Sequence, residues 1–417
     1  MITSVRLKLA VALLALLGVF AIFSRWHGSA LVGGRSSTTN LEIGVSNSAD
    51  RGPGSLREAL FRADGASGST RIVIRVQQVS LESPLPPLVN PYGISVVVAA
   101  LGAQIDGHAI GNAPVFDVDA GNVSITGLTI RNCAGPAILL RAGNFHMTSS
   151  TIESCDVGVD IAEGVHDVAL ERNSFANNRL GVRFAAGSRN SMVVGNKFSA
   201  NVAAGIWAVR GKVDAGNAAS ILVRDNRFND DHIGVVAGNI AMLLNRNVLS
   251  GAREAAIHVI GAGASVLGNR ISGGAAMGIV AEDAIAVTIS DNEIDHAVAY
   301  GIMVKGSENL LVKGNQIQSC GYGMAFVLGN ARRPSTAVEN TIIGVKYHGI
   351  DVVGESPILR RNRVLQAGAM PLQVQDYLAP NGTTVYARPF LEGNDWGGDR
   401  NAVAAVPAPS TTPAPPR

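Results

Sequence analysis

The sequence predicts an all-β solenoid: a parallel β-helix of about eleven or more coils with a short capping helix at its N-terminal end. Three observations predict it. First, asparagines recur at Asn173, Asn196, Asn226, Asn247, Asn269, Asn292, Asn315, Asn340 and Asn362, in steps of 23, 30, 21, 22, 23, 23, 25 and 22 residues. A period this long and regular marks stacked repeats. Second, an apolar residue stands two places after each of these asparagines, from Phe175 to Val364. Third, a glycine follows eight or nine places after the asparagine in most coils (Gly181, Gly205, Gly234, Gly278, Gly301, Gly323, Gly349) and opens an alternating apolar run. Such runs read as short strands, and no stretch keeps a helical apolar spacing.

The elements follow in chain order. Arg6 and Lys8 precede the apolar run 9–23, with small residues Ser29 and Ala30 beyond, so 1–30 reads as a secretory signal or an uncleaved signal anchor. Residues 31–45 are a polar linker, and 46–122 hold an N-terminal cap and the first coils. Within the cap, Ser55 is a suitable N-cap for a helix to about Ala63, and Glu58 three residues later completes a capping box. Arg57 and Glu58 are cap architecture, since an open solenoid end exposes apolar core and unpaired strands. The repeats occupy 123–376, with Leu128 and Ser150 continuing the asparagine phase upstream. Stacked asparagines can pass hydrogen bonds from coil to coil, and the glycines are expected to supply turns with φ > 0. Coils ~4.8 Å apart give a repeat region on the order of 50 Å long. A C-terminal cap region fills 377–400, and the Pro- and Ala-rich 401–417 cannot bury a core and reads as a disordered tail.

The coils resemble those of right-handed parallel β-helix repeat proteins, which read N-x-I-x-x-N-x-x-G-I, and the likeness covers roughly 120–375. Asn178 and Asn201 fill the second asparagine place; Cys133, Cys155, Cys320 and Asp231 substitute there in other coils. The segment Gly54-Ser55-Leu56-Arg57-Glu58-Ala59, with Pro84-Leu85-Pro86 and Ile105-Asp106-Gly107 after it, is similar to the opening of many secreted members. The resemblance implies the pectate-lyase-like fold and a place in the periplasm or outside the cell. It leaves the activity open, because that superfamily holds lyases, hydrolases, epimerases, copper-delivery proteins and tailspikes.

A net charge near +2 without basic runs gives no sign of nucleic-acid binding. No Cys/His spacing suggests a metal centre, and nothing calls for a cofactor. A membrane partner is implied only through a retained N-terminal anchor. Cys133 and Cys155 lie 22 residues apart in one phase, so as stacked neighbours they are within disulfide reach. Two thiols filling an interior place is the equal alternative.

Function is sought on the outward columns. The residue two after the glycine reads Asp160, Arg183, Trp207, Val236, His258, Val280, Met303, Ala325, Asp351, and the residue before it ends in Tyr300, Tyr322, His348. The second run, with Lys305, Lys346 and Asp351 near it, has the parts that uronate chemistry needs. These are an acid and a base (Tyr322 and His348) and groups to hold a carboxylate. The alternative is an aromatic ladder that stabilises the sheet. Tyr347-His348-Gly349-Ile350-Asp351 is also similar to the Tyr-Gly-Ile-Asp of mannuronan C5-epimerases, although Val352-Val353 stand where that family has Pro-His. A second candidate surrounds Trp207, where the long step to Asn226 places an insertion at 210–220. Arg183, Arg210, Lys212 and His258 would join Trp207 in gripping a sugar chain. Asp160 and Arg183 also fit an ordinary ion pair. Neither clustered outward aspartates for calcium nor a paired-aspartate hydrolase site is evident. Two function classes remain. One is a lyase or epimerase acting on an acidic polysaccharide. The other is a non-catalytic envelope β-helix that binds or guides a glycan or scaffolds an assembly.

Overall fold

The computed structural model describes residues 41–100, 102–208, 221–330 and 332–397. The signal or anchor segment, the Arg210 and Lys212 loop and the 401–417 tail lie outside these residues. The described chain winds through three parallel sheets, which we name A (15 strands), B (13 strands) and C (12 strands). Each coil contributes one strand to each sheet in the order A, B, C. Thus Val168–Glu171, Ser174–Ala176 and Leu180–Phe184 make one coil, stacked in register on Ser191–Val194, Lys197–Ser199 and Ala204–Ala208 of the next. The result is the predicted all-β solenoid, with about thirteen turns. The core is a continuous column of apolar side chains, in which Phe175, Phe198 and Phe228 stack at centroid spacings of 5.0 and 4.6 Å. Among the described residues no helix is long and apolar enough to cross a membrane.

The ladder asparagines sit at the corner between sheets A and B, all buried. From Asn196 onward each side-chain oxygen accepts two bonds from the asparagine of the preceding coil. Asn269 donates to Asn292 Oδ1 from its backbone N (2.9 Å) and from Nδ2 (3.0 Å), and its Nδ2 also reaches the Leu244 carbonyl at 3.0 Å. The chain of bonds begins with Leu128, Ser150 and Asn173, and ends on Asn394. The residue before each ladder asparagine is left-handed: Gly195, Gly268 and Gly314 fill three of these nine places, but in the other six Arg172, Asp225, Arg246, Asp291, Glu339 and Arg361 have φ between 49° and 58°. The buried amide network holds this otherwise unfavourable turn.

The repeating glycines have a different role from the one expected, since none of Gly181, Gly205, Gly234, Gly278, Gly301, Gly323 or Gly349 has positive φ. They permit close approach. A Cβ at Gly181 would lie 2.5 Å from the Gly205 carbonyl oxygen and 2.9 Å from a Phe198 ring carbon.

At the N-terminal end helix α1 (Leu56–Asp64) buries Leu56, Ala59, Leu60 and Ala63 against the first coils. Ser55 Oγ accepts from the Glu58 amide at 3.3 Å, as the capping box predicts, but the Glu58 carboxylate reaches back to the Gly54 amide rather than to Ser55. Arg57 is wholly structural: it donates to Asp50 Oδ1 (2.5 Å) and to the carbonyls of Ser83 (2.8 Å) and Pro84 (2.6 Å). Burial alone would raise the Asp50 carboxyl, but bonds from Arg57, the Glu82 backbone and Ser83 outweigh it and hold the group below its usual range. Cys133, Cys155 and Cys320 are buried free thiols, so the suggested Cys133–Cys155 disulfide is not formed. The contact with Cys155, and then burial, push the Cys133 thiol up.

Candidate functional site

Sheet C carries the outward columns in strict register: Asp160, Arg183, Trp207, Val236, His258, Val280, Met303, Ala325 and Asp351 are successive cross-strand partners. The adjacent column runs from Val157 through Met277 to Tyr300 and Tyr322. Pleating alone therefore fixes which side chains face out.

At the C-terminal end of this face four groups converge. Tyr300 and Tyr322 stack at 4.7 Å between centroids, and Tyr347, from the turn that follows sheet B, stacks on Tyr322 at 4.9 Å. The His348 and Tyr322 rings meet in a T-shaped contact, with centroids 5.8 Å apart. Beneath it Asp351 Oδ1 lies 2.6 Å from His348 Nδ1. A carboxylate can only accept, so Nδ1 carries the proton, and in the neutral ring Nε2 is then the basic nitrogen. Burial raises the Asp351 carboxyl above its ordinary value while His348 pulls it down. Burial, then the Asp351 charge and Tyr322, raise the Tyr300 phenol. Asp351 is 8% exposed, which suits a group that orients His348 and not one that reaches a polymer. Lys346 is exposed, with Nζ 5.0 Å from the Tyr347 ring centre.

The remaining candidates do not join this cluster. Lys305 Nζ is paired with Glu282 at 2.8 Å, and the other oxygen of Glu282 lies 3.4 Å from His258 Nε2. Arg183 is bound through two nitrogens to Asp160, at 2.6 and 2.8 Å. Trp207 packs on a separate apolar group of outward side chains, Val157, Leu180, Ala204, Ile233 and Val236. Arg210 lies outside the described residues. Sequence reasoning missed Tyr347 as a stacking partner and the His348–Asp351 bond. The i, i+3 spacing of that pair was a visible signal once the turn between them was placed. Among the described residues no group of three or more His, Cys, Asp or Glu side chains is placed to hold a metal ion.

Comparison with known proteins agrees with the architecture. A family profile described as "Right handed beta helix region" matches residues 89–215 and 213–364. Among curated proteins none matches the sequence. Among solved structures the chain is similar to the catalytic unit of a thermostable GH87 α-1,3-glucanase from Streptomyces thermodiastaticus. That likeness has 14% identity and a TM-score of 0.52, and covers 90% of this chain and 72% of the other. It is also similar to the periplasmic alginate epimerase AlgG, at 13% identity and TM-score 0.47, over 74% of this chain and 78% of the other. A third is the A-module of the Azotobacter vinelandii mannuronan C-5 epimerase AlgE6, at 14% identity and TM-score 0.47, over 84% of this chain and 94% of the other. At 14% identity the likeness to the glucanase is one of fold.

Proposed function

The chain belongs to the right-handed beta helix family, and on that scaffold we propose that the Tyr300–Tyr322–His348 face acts on an acidic, uronate-containing polysaccharide. The reaction is proton abstraction at the carbon next to the carboxylate, leading to β-elimination or epimerisation. The observation that carries this reading is His348, held at Nδ1 by the buried Asp351 and with its ring packed edge-on with that of Tyr322. Asp351 thus becomes a positioning residue, His348 the base and Tyr322 the acid. The three stacked rings offer an apolar face to a sugar ring, and Lys346 at their edge supplies the cation for the carboxylate. A two-carboxylate hydrolytic mechanism fits poorly, because the carboxylate of this cluster is already committed to His348. The protein works outside the cytoplasm in this reading, exported by segment 1–30.

A rise in absorbance near 235 nm with an acidic polysaccharide marks the unsaturated product of elimination; proton NMR detects epimerisation. His348→Gln and Tyr322→Phe are each expected to lower turnover by about 10²–10⁴-fold with the solenoid intact by circular dichroism. Unchanged turnover in both variants rejects the assignment. One observation favours the non-catalytic alternative: the cations Lys305 and Arg183 are consumed by ion pairs, so binding without chemistry across the whole substrate panel would establish a glycan-guiding protein.

A further inference from the structure

A concavity of about 330 Å³ lies on a different wall of the solenoid, on the outer face of sheet B. Three successive strands build it, Arg270–Ser272, Glu293–Asp295 and Gln316–Gln318. Its floor is the backbone at Ile271 and Ile294, whose side chains are buried in the core. Its two walls are neighbouring outward columns: Arg270, Glu293 and Gln316 on one side, Ser272, Asp295 and Gln318 on the other. The small Ser272 leaves room between them.

The wall chemistry is specific in kind. Arg270 and Glu293 neutralise each other, with Nε at 2.8 Å from Oε2. The side-chain amides of Gln316 and Gln318 and the Ser272 hydroxyl have no hydrogen-bond partner among the described residues, and all line the hollow. Asp295 adds a carboxylate whose Oδ1 lies 2.7 Å from His296 Nδ1. Two free amides donate and accept, a hydroxyl does both, and the carboxylate accepts. That set matches vicinal hydroxyl groups, while Asp295, whose partner is an imidazole and not a fixed cation, disfavours a polyanion. The volume falls at the small end of the roughly 300–1,000 Å³ typical of ligand sites.

We propose that the sheet B hollow is a second carbohydrate site, which takes a short neutral oligosaccharide and is chemically distinct from the sheet C face. It does not depend on the reaction proposed above. The test is calorimetric titration of the full chain with neutral tetrasaccharides (glucose-, mannose- and galactose-based) and, separately, with a uronate tetrasaccharide. The expected result is binding of at least one neutral probe, weakened about tenfold or more by Gln316→Ala/Gln318→Ala. Uronate binding stays unchanged in that variant, and neutral binding stays unchanged in Tyr322→Phe. Ser272→Trp, which fills the hollow from an exposed strand face, should abolish neutral binding while leaving the melting curve in place. Failure of every neutral probe to bind overturns the proposal, as does neutral binding that survives both sets of substitutions. Neither outcome bears on the sheet C chemistry, because that is read by the uronate probe alone.

Discussion

Asp231 occupies a place that asparagine fills in the two coils before it. Asn178 and Asn201 use Nδ2 to bond the carbonyls of Ile152 and Phe175, each 26 residues back. Asp231 Oδ1 accepts from Asn201 in the same way, at 2.8 and 2.7 Å, but its Oδ2 is buried, lacks a partner, and stands where those asparagines carry a donor. Burial pushes this carboxyl up to about 7, with Asn201 opposing and Asp230 adding to the rise. Burial likewise raises Glu355 to about 7. For both groups the folded value lies above the unfolded one. Their contribution is therefore complete below about pH 4 and is lost as the pH rises to about 7, a difference on the order of a few kcal/mol. Carboxylates held low by partners, such as Asp225 beside Arg246, weaken the fold only at more acid pH. Urea midpoints should therefore fall between pH 5 and pH 8, and Asp231→Asn, which restores the missing donor, should flatten part of that slope. An equal slope in the variant contradicts the assignment.

The coils are held at the ladder corner and at the close crossing beside the sheet C glycines, and these differ in what they tolerate. Asn292, in the middle of the ladder, donates two bonds from Nδ2 and one from its backbone N, and its Oδ1 accepts two, all buried. Asn292→Ala orphans several buried donors and is expected to cost about 2–4 kcal/mol in urea unfolding. Gly323→Ala tests the crossing: its Cβ would meet the Gly349 carbonyl oxygen at 2.2 Å and Ile342 at 2.7 Å, so a loss of at least about 1–3 kcal/mol is expected. Wild-type stability in Gly323→Ala would show that the crossing has slack. The ladder and the outward columns were legible in the sequence because stacked coils convert a linear period into spatial adjacency. The glycine role was misread because a period cannot distinguish a residue needed for its φ from one needed for its missing Cβ. The His348–Asp351 bond and the Tyr347 stack were hidden for another reason. Both depend on the path of one turn, 344–349, and not on any repeat.

For the solenoid of residues 41–397, the vulnerable places are its ends. Helix α1 closes the first coil, and its Arg57 joins the segments around Asp50 and Ser83 through a nearly buried ion pair whose side chains are 12% and 2% exposed. Arg57→Ala leaves the Asp50 charge without its partner, so a loss of about 3 kcal/mol is expected. Hydrogen exchange should show the effect first in strands Leu41–Val45 and Thr70–Ile74, with sheets at the opposite end still protected. Uniform loss of protection along all coils would mean that the solenoid melts as one unit.

The left-handed residue before each ladder asparagine has a bearing on descent as well as on stability. That turn and its amide bonds close on the two adjacent coils alone, so each coil carries its own joint and asks nothing of more distant ones. A gene that duplicates or loses one whole repeat keeps every remaining joint intact, whereas an insertion of a few residues there breaks two. At the ladder turns, length can change by inheritance only in whole coils, whereas the long step from Asn196 to Asn226 takes its extra residues away from them; each added coil moves the sheet C and sheet B sites one strand spacing further from an end.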